Sequence, residues 1–315
     1  MPNIWTHFIF GRELAKRIGW NDAFSTPELQ RVFQLGCQGP DFLFYHRFFP
    51  WQSSIGMQRL GGTMHKEACG PLLLDLLENV KGQPLQSADT VYTLGFLTHH
   101  ILDRNAHPYI FYRSGFKKWH HQRFEIIIDT LVARKLLNVE TWNTPVWEQL
   151  YVGDQLPGKM ADVFVQLTRK HYPDAAGTLT PDDWNDAYRG MIRAQKLFHD
   201  PSGWKRLLTF GQIEPFVFKK TNAPIDYLNE AKQPWRHPSD LDEESSSSFW
   251  DLWDQAMDDG AIVMDAAIAY ISAYNETDYT GSTRLPLELC LGNISYETGK
   301  PCDSGLTIVH ADPII

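Results

Sequence analysis

Apolar residues recur at three- and four-residue intervals along most of this chain, which is the pattern of amphipathic helices. Alternation with a period of two, typical of strands, is scarce, so the sequence predicts an all-α, multi-helix fold. One of the predicted helices is expected to end near His107, because Pro108 lacks an amide hydrogen and restricts the residue before it. The predicted helices cover residues 64–80, 87–103, 118–134, 158–171, 181–199 and 248–274.

Two segments lack this helical pattern. Residues 232–248, KQPWRHPSDLDEESSSS, combine prolines, acids and a serine run, so they are expected to form an exposed loop that ends in a helix cap. Residues 275–315 are rich in turn formers and are expected to wrap the helical body as an irregular tail. No internal repeat or firm boundary is evident, so residues 1–315 are interpreted as one domain.

Composition limits the class of protein further. Of the 315 residues, 43% are apolar and 21% charged, as in folded globular proteins, and a net charge of −9 disfavours bulk nucleic-acid binding. The start of the chain has no signal-peptide pattern, and no stretch reaches about 18 uninterrupted apolar residues. The sequence therefore predicts a cytoplasmic protein without a transmembrane segment. The four cysteines form no CxxC pair, which argues against a thiolate zinc site.

Half of the twelve histidines fall in one stretch of the chain, interleaved with carboxylates at helical spacing. His99, Asp103 and His107 are each four residues apart, so one helix face presents all three. His121 and Glu125 repeat this spacing on the next helix. Asp129, one turn further along, is expected to orient a ligand imidazole or to face solvent.

A single His-x3-Asp pair is usually a surface ion pair, but two such stripes close in sequence indicate a metal site. Burying imidazoles and carboxylates without compensation would cost several kcal/mol, and a bound divalent ion removes that cost. Imidazole nitrogen with carboxylate oxygen suits zinc best. His65, near a helix start, and Asp41, after Gly39-Pro40, are two further candidates.

Taken in order, these residues resemble the zinc-dependent phospholipase C family, whose wider fold group includes the S1/P1-type nucleases. The resemblance covers roughly the first 130 residues, and LGNISYETG at 291–299 is similar to uncharacterised bacterial members. It implies an all-α fold of the phospholipase C/P1-nuclease type. The residues that carry it are His7, Asp41, His65, His99, Asp103, His107, His121 and Glu125.

The resemblance also implies how these residues divide among two or three zinc ions. A first site would comprise Asp41, His65, His99 and Asp103, and a second site His107, His121 and Glu125. At a third site, Asp103 would bridge to an ion completed by His7 and by the amine and carbonyl of the N-terminal residue. Family members with this site begin with a processed tryptophan, whereas this sequence begins at Met1, so partial or exchangeable occupancy is expected at the third site.

The implied chemistry is phosphoric ester hydrolysis, because clustered zinc acidifies a bound water and clamps an in-line phosphoryl displacement. The expected enzyme is a phospholipase C-like phosphodiesterase that acts on a phospholipid-like or small phosphodiester substrate. Asp41 is the candidate catalytic residue, which would orient the attacking water. The sequence contains no GxSxG or Walker-type motif, which would have indicated a different hydrolytic mechanism.

Two other classes remain open. A non-catalytic, zinc-stabilised binding protein would hold one zinc ion with closed coordination, so metal stoichiometry distinguishes it from the enzyme. A di-iron redox enzyme would supply Glu-x-x-His pairs from two helices, and the ligand region contains none.

Overall fold

The computed structural model of the protein describes residues 4–49, 51–52, 55–273 and 283–315. Helices dominate this portion of the chain, which confirms the predicted all-α fold. The helices are α1 Ile4–Arg17, α2 Pro27–Gly36, α3 Ile55–Met64, α4 Cys69–Asn79, α5 Ala88–Ser114, α6 His120–Leu137, α7 Met160–His171, α8 Pro173–Ala176, α9 Pro181–Phe198, α10 Trp204–Leu208, α11 Phe249–Ser272 and α12 Arg284–Leu291.

Helix α5 is the central element, and it packs against α1, α2, α6 and α11. Its N-terminus is capped by Ser87, whose side chain accepts a hydrogen bond from the amide of Thr90. Nearly every residue from the second turn of α5 to Asp103 is buried, because helices cover it on several sides. Side chains on this helix therefore occupy the interior of the molecule.

The end of α5 differs from the prediction, since the helix continues through Pro108 to Ser114. Proline removes the hydrogen bond to the carbonyl four residues earlier, which here belongs to Arg104. Gly299 packs against that carbonyl with φ +62, and any side chain at this position would overlap it. The chain thus accommodates the freed carbonyl by contact with a distant segment.

Tertiary contacts also hold the turns of α5 that follow the proline. The Tyr109 hydroxyl donates to the Tyr227 carbonyl at 2.8 Å, and Arg113 donates to the Asp312 carboxylate at 2.7 Å. These bonds to remote residues stabilise helical turns that local sequence preference alone would end.

Three further segments differ from the sequence-based expectations. Residues 64–80, predicted as one helix, divide into the end of α3 and the whole of α4. The segment 232–248 contains an antiparallel hairpin of β1 Trp235–His237 and β2 Asp240–Ser245. Within the tail, α12 replaces part of the irregular structure expected for 275–315.

No helix in the described ranges is long and apolar enough to cross a membrane.

Candidate metal centre

Three helices, one 3₁₀ turn and the turn after α3 carry the eight side chains predicted to bind metal, and the structure brings them together around α5. Local sequence places His99, Asp103 and His107 on one face of α5, while packing supplies the others. His7 lies on α1, Asp41 on the 3₁₀ turn Gly39–Tyr45, His65 directly after α3, and His121 and Glu125 on α6.

The first cluster comprises the four side chains of the predicted first site. The Nε2 atom of His65 lies 3.1 Å from Oδ1 of Asp41. The Nε2 atom of His99 lies 3.9 Å from the same oxygen and 3.1 Å from Oδ2 of Asp103. Gly39, with φ +51, lies so close to His99 that a Cβ would overlap the imidazole ring, so this turn requires glycine.

The second cluster lies one turn further along α5. Glu125 Oε1 lies 2.8 Å from Nε2 of His121 and 3.5 Å from Nε2 of His107. His121 also contacts the Ser114 hydroxyl through Nδ1 at 3.2 Å. His107, His121 and Glu125 thus converge as one set of potential ligand atoms.

Backbone carbonyls determine which ring nitrogens face the clusters. The Nδ1 atoms of His65, His99 and His107 contact the carbonyls of Gly61, Cys37 and Tyr296 at 2.7, 3.0 and 3.0 Å. A carbonyl only accepts, so each Nδ1 carries the proton and each neutral ring directs the Nε2 lone pair into its cluster. Such carbonyl contacts are typical of histidines that bind metals.

This donor set fits a divalent cation. His99 Nε2 and both Asp103 oxygens are buried and have no hydrogen-bond partner among the described residues, although the two groups lie 3.1 Å apart. Facing lone pairs at this distance repel each other unless a cation or a proton separates them. Two ligands of a tetrahedral zinc are roughly 3.4 Å apart, from Zn–N and Zn–O bonds of about 2.0–2.2 Å. Imidazole and carboxylate donors at these separations suit zinc.

The electrostatics also favour bound cations. Burial alone would raise the pKa of Asp103, but the imidazoles of His107, His99 and His7 lower it far below its usual range. Burial disfavours the His99 imidazolium, yet the carboxylates of Asp103 and Asp41 outweigh this effect and raise the pKa of His99. Asp103 and Asp41 therefore favour positive charge at His99, whereas burial lowers the pKa of His7 and of His121.

His7 lies beside the first cluster. Its Nε2 atom is 3.4 Å from Oδ1 of Asp103, and its ring stacks on that of His99 with centroids 4.0 Å apart. His7 is also close enough to Asp41 and His99 to share an ion with them. The predicted contribution of Met1 to the third site falls outside the described residues.

Asp129 has a role that the sequence did not suggest. It neither contacts an imidazole nor faces solvent; its carboxylate is buried and accepts hydrogen bonds from the amides of Trp5 and Thr6 at 2.9 and 2.8 Å. These amides belong to the first turn of α1, where backbone amides have no acceptor within their own helix. Asp129 therefore caps α1 from α6 and fixes the helix that carries His7.

The segment 292–301 is the second feature that sequence reasoning missed. Besides the carbonyl that accepts from His107, Tyr296 donates its amide to the His65 carbonyl at 3.0 Å. Its ring contacts those of His65 and His99, with centroids 5.1 and 5.8 Å apart. The only sequence signal was the turn-rich stretch LGNISYETG, which carries no ligand-type pattern. This segment forms one wall of the first cluster.

One of the comparisons with known proteins found a similar family. Residues 6–157 match the model of a family described as zinc dependent phospholipase C, and all eight predicted ligands lie within that range. Comparisons with curated proteins and with solved structures yield no match. Residues 6–157 of this chain are therefore similar to the zinc-dependent phospholipase C family.

Proposed function

We propose that the chain is a zinc-dependent phosphoric ester hydrolase that cleaves phosphodiesters of a phospholipid-like or small substrate. The observation that carries the proposal is the pair of adjacent clusters on α5, each combining imidazole nitrogens with carboxylate oxygens. His99, Asp103 and His107 link them along one helix face. Two or three ions held side by side suit a phosphoryl group, whose attacking and leaving oxygens both need stabilisation.

When bound, zinc would supply an acidified water and positive charge opposite the phosphate. The three carboxylates of the clusters carry fewer negative charges than two divalent ions carry positive ones, so the loaded site attracts an anionic substrate.

Asp41 is the carboxylate best placed to orient the attacking water and to accept its proton. Its side chain is 7% exposed, whereas those of Asp103 and Glu125 are 0% and 1% exposed. Water and substrate can therefore reach Asp41 more readily than the other two acids. An ion shared with His65 and His99, whose Nε2 atoms lie 3.1 and 3.9 Å from Oδ1, would hold this carboxylate in position.

The exposure of one candidate ligand supports a catalytic role for the metal over a purely structural one. His121 is 13% exposed at its side chain, more than the other candidate ligands, so the second cluster opens to solvent there. A structural zinc site is closed by four protein ligands, while a catalytic site keeps a position for water. The non-catalytic binding protein remains the alternative, with one firmly held ion as its signature.

The decisive experiment assays the purified zinc form against an aryl phosphodiester and a phosphocholine ester. We expect hydrolysis that chelation abolishes and added zinc restores. Asp41→Asn should lower kcat by about 10²-fold or more, the scale of losing a general base. Asp254→Asn is the matched control, because Asp254 is exposed on α11 and should leave the rate unchanged.

Two outcomes would contradict the proposal. Full activity of Asp41→Asn would remove the role of Asp41 in orienting water. If a fully metallated sample cleaves no phosphomonoester, phosphodiester or phospholipid, the chain is the zinc-stabilised binding protein.

The cytoplasmic location stays a prediction, which fractionation of expressing cells would check.

A further inference from the structure

Helix α10 and Phe210, which follows it closely, expose large apolar side chains to solvent. Trp204, Leu207, Leu208 and Phe210 are 65%, 66%, 73% and 93% exposed, and no residue of α10 is buried. Phe116 and Trp119, in the turn before α6, are 60% and 41% exposed. Single exposed apolar residues are ordinary, but grouped ones mark an interaction surface.

The fold holds α10 in this orientation by its polar side. The buried carboxylate of Asp200 accepts hydrogen bonds from the amides of Lys205 and Arg206 at 3.1 and 2.9 Å, which caps the helix. Phe210 follows with φ 50, a left-handed conformation that is unfavourable for a bulky residue. The cap thus orders α10 while its large apolar side chains remain exposed to solvent.

Aromatic contacts link Trp119 to two rings, Phe198 and Phe216, that flank α10 in the sequence. Trp119 contacts Phe216 with ring centroids 4.9 Å apart, and Phe216 stacks on Phe198 at 4.8 Å. Trp119 is also two residues before His121, the most exposed candidate ligand. The turn that carries Trp119 therefore lies next to the exposed edge of the second cluster.

The charges near this surface oppose the net charge of the whole chain. Lys117, Lys118 and Lys205 have no ion-pair partner among the described residues, whereas the chain carries a net charge of −9. Lys118 lies over the ring of Trp119, 5.0 Å from its centroid, and Lys205 donates to the carbonyl of His199. The surface is thus apolar at its centre and positively charged beside it.

We propose that this docking face, formed by Phe116–Trp119 and Trp204–Phe210, inserts into the interface of a lipid bilayer that carries anionic headgroups. Tryptophan prefers the headgroup level, phenylalanine and leucine the acyl boundary below it, and lysine the anionic headgroups. Binding in this way places the opening at His121 against the membrane surface. The inference deepens the proposed function, since a phospholipid substrate would then reach the site directly from the bilayer.

The test measures sedimentation of the full zinc-loaded chain with vesicles of phosphatidylcholine and phosphatidylserine. Phe210→Ser and Leu208→Ser should each weaken binding about tenfold or more, the scale of losing one buried large apolar side chain. The matched control is Leu289→Ser, since Leu289 on α12 is 75% exposed, as against 73% for Leu208, but lies outside the docking face. Binding of the control should be unchanged.

Two further arms test the charge and separate this proposal from the proposed function. Lys117→Gln combined with Lys118→Gln should weaken binding to these vesicles more than to vesicles of phosphatidylcholine alone. Hydrolysis of a soluble aryl phosphodiester should be unchanged in every docking-face variant. If the chain binds vesicles but cleaves no phosphoester, the docking face stands and the proposed function fails.

Three results would overturn the inference. The first is a wild-type chain that binds neither kind of vesicle. The second is a Leu208→Ser variant that sediments like the wild type. The third is a wild-type dimer, detected by light scattering, that Leu208→Ser converts to monomer, because the face would then be an interface between copies of the chain.

Discussion

Replacing Asp129 by asparagine tests the link between α6 and the start of α1. Each oxygen of Asp129 accepts one buried backbone amide, that of Trp5 at 2.9 Å and that of Thr6 at 2.8 Å. Asparagine retains one acceptor oxygen and places an NH₂ group, which only donates, where the other oxygen was. One amide of α1 would then lie buried without a partner.

The expected loss follows from the hydrogen bonds. A buried donor left unsatisfied costs about 1–3 kcal/mol, and losing a helix cap typically costs about 1 kcal/mol. The two figures describe the same effect, so they are not added. Burial raises the pKa of Asp129 to about 7, while the hydrogen bonds from Thr6 and Trp5 lower it and so favour the charged form. We expect Asp129→Asn to lower the free energy of unfolding by about 1–3 kcal/mol.

Urea unfolding of the zinc-free chain measures this loss, because bound metal would otherwise contribute to the stability. Asp254→Asn makes the same chemical change at an exposed position of α11 and should stay within about 0.5 kcal/mol of the wild type. Asp129→Ala should be more destabilising than Asp129→Asn, since it removes both acceptors. If Asp129→Asn unfolds at the wild-type urea concentration, Asp129 does not cap α1.

Three predictions concern the metals. We expect the chain to bind at least two zinc equivalents, and His99→Ala and His121→Ala should each lose about one of them in elemental analysis. Retention of both ions in either variant would contradict the ligand assignment. An ion at His7 should be partly occupied or exchange readily in metal-exchange measurements, whereas a structure with Met1 and His7 both holding a fully occupied ion would exclude this. Because the pKa of His99 is raised above its ordinary value, the proton competes with zinc at and below that pKa. Zinc affinity of the first site, measured by competition with a chelator, should therefore fall as pH decreases through the range around and above 6.5, and a constant affinity from pH 8 to pH 6 would refute this.

The local sequence was enough to predict the class of fold and to group several candidate ligands on shared helix faces. Apolar spacing predicts helices because each helix must bury one face, and this requirement leaves a mark at every third or fourth residue. His99, Asp103 and His107 could be placed on one face for the same reason, as could His121 and Glu125. These relations act within one helix, so the local sequence contains them.

The contacts between elements, in contrast, become visible only in the folded protein. His107 directs Nε2 into its cluster because Nδ1 meets the carbonyl of Tyr296, a residue 189 positions away. Asp129 caps α1 across 124 positions, and α5 passes Pro108 because remote segments hold its last turns. Such contacts depend on how helices pack and on backbone groups that every residue possesses, so no pattern of side chains along the chain predicts them.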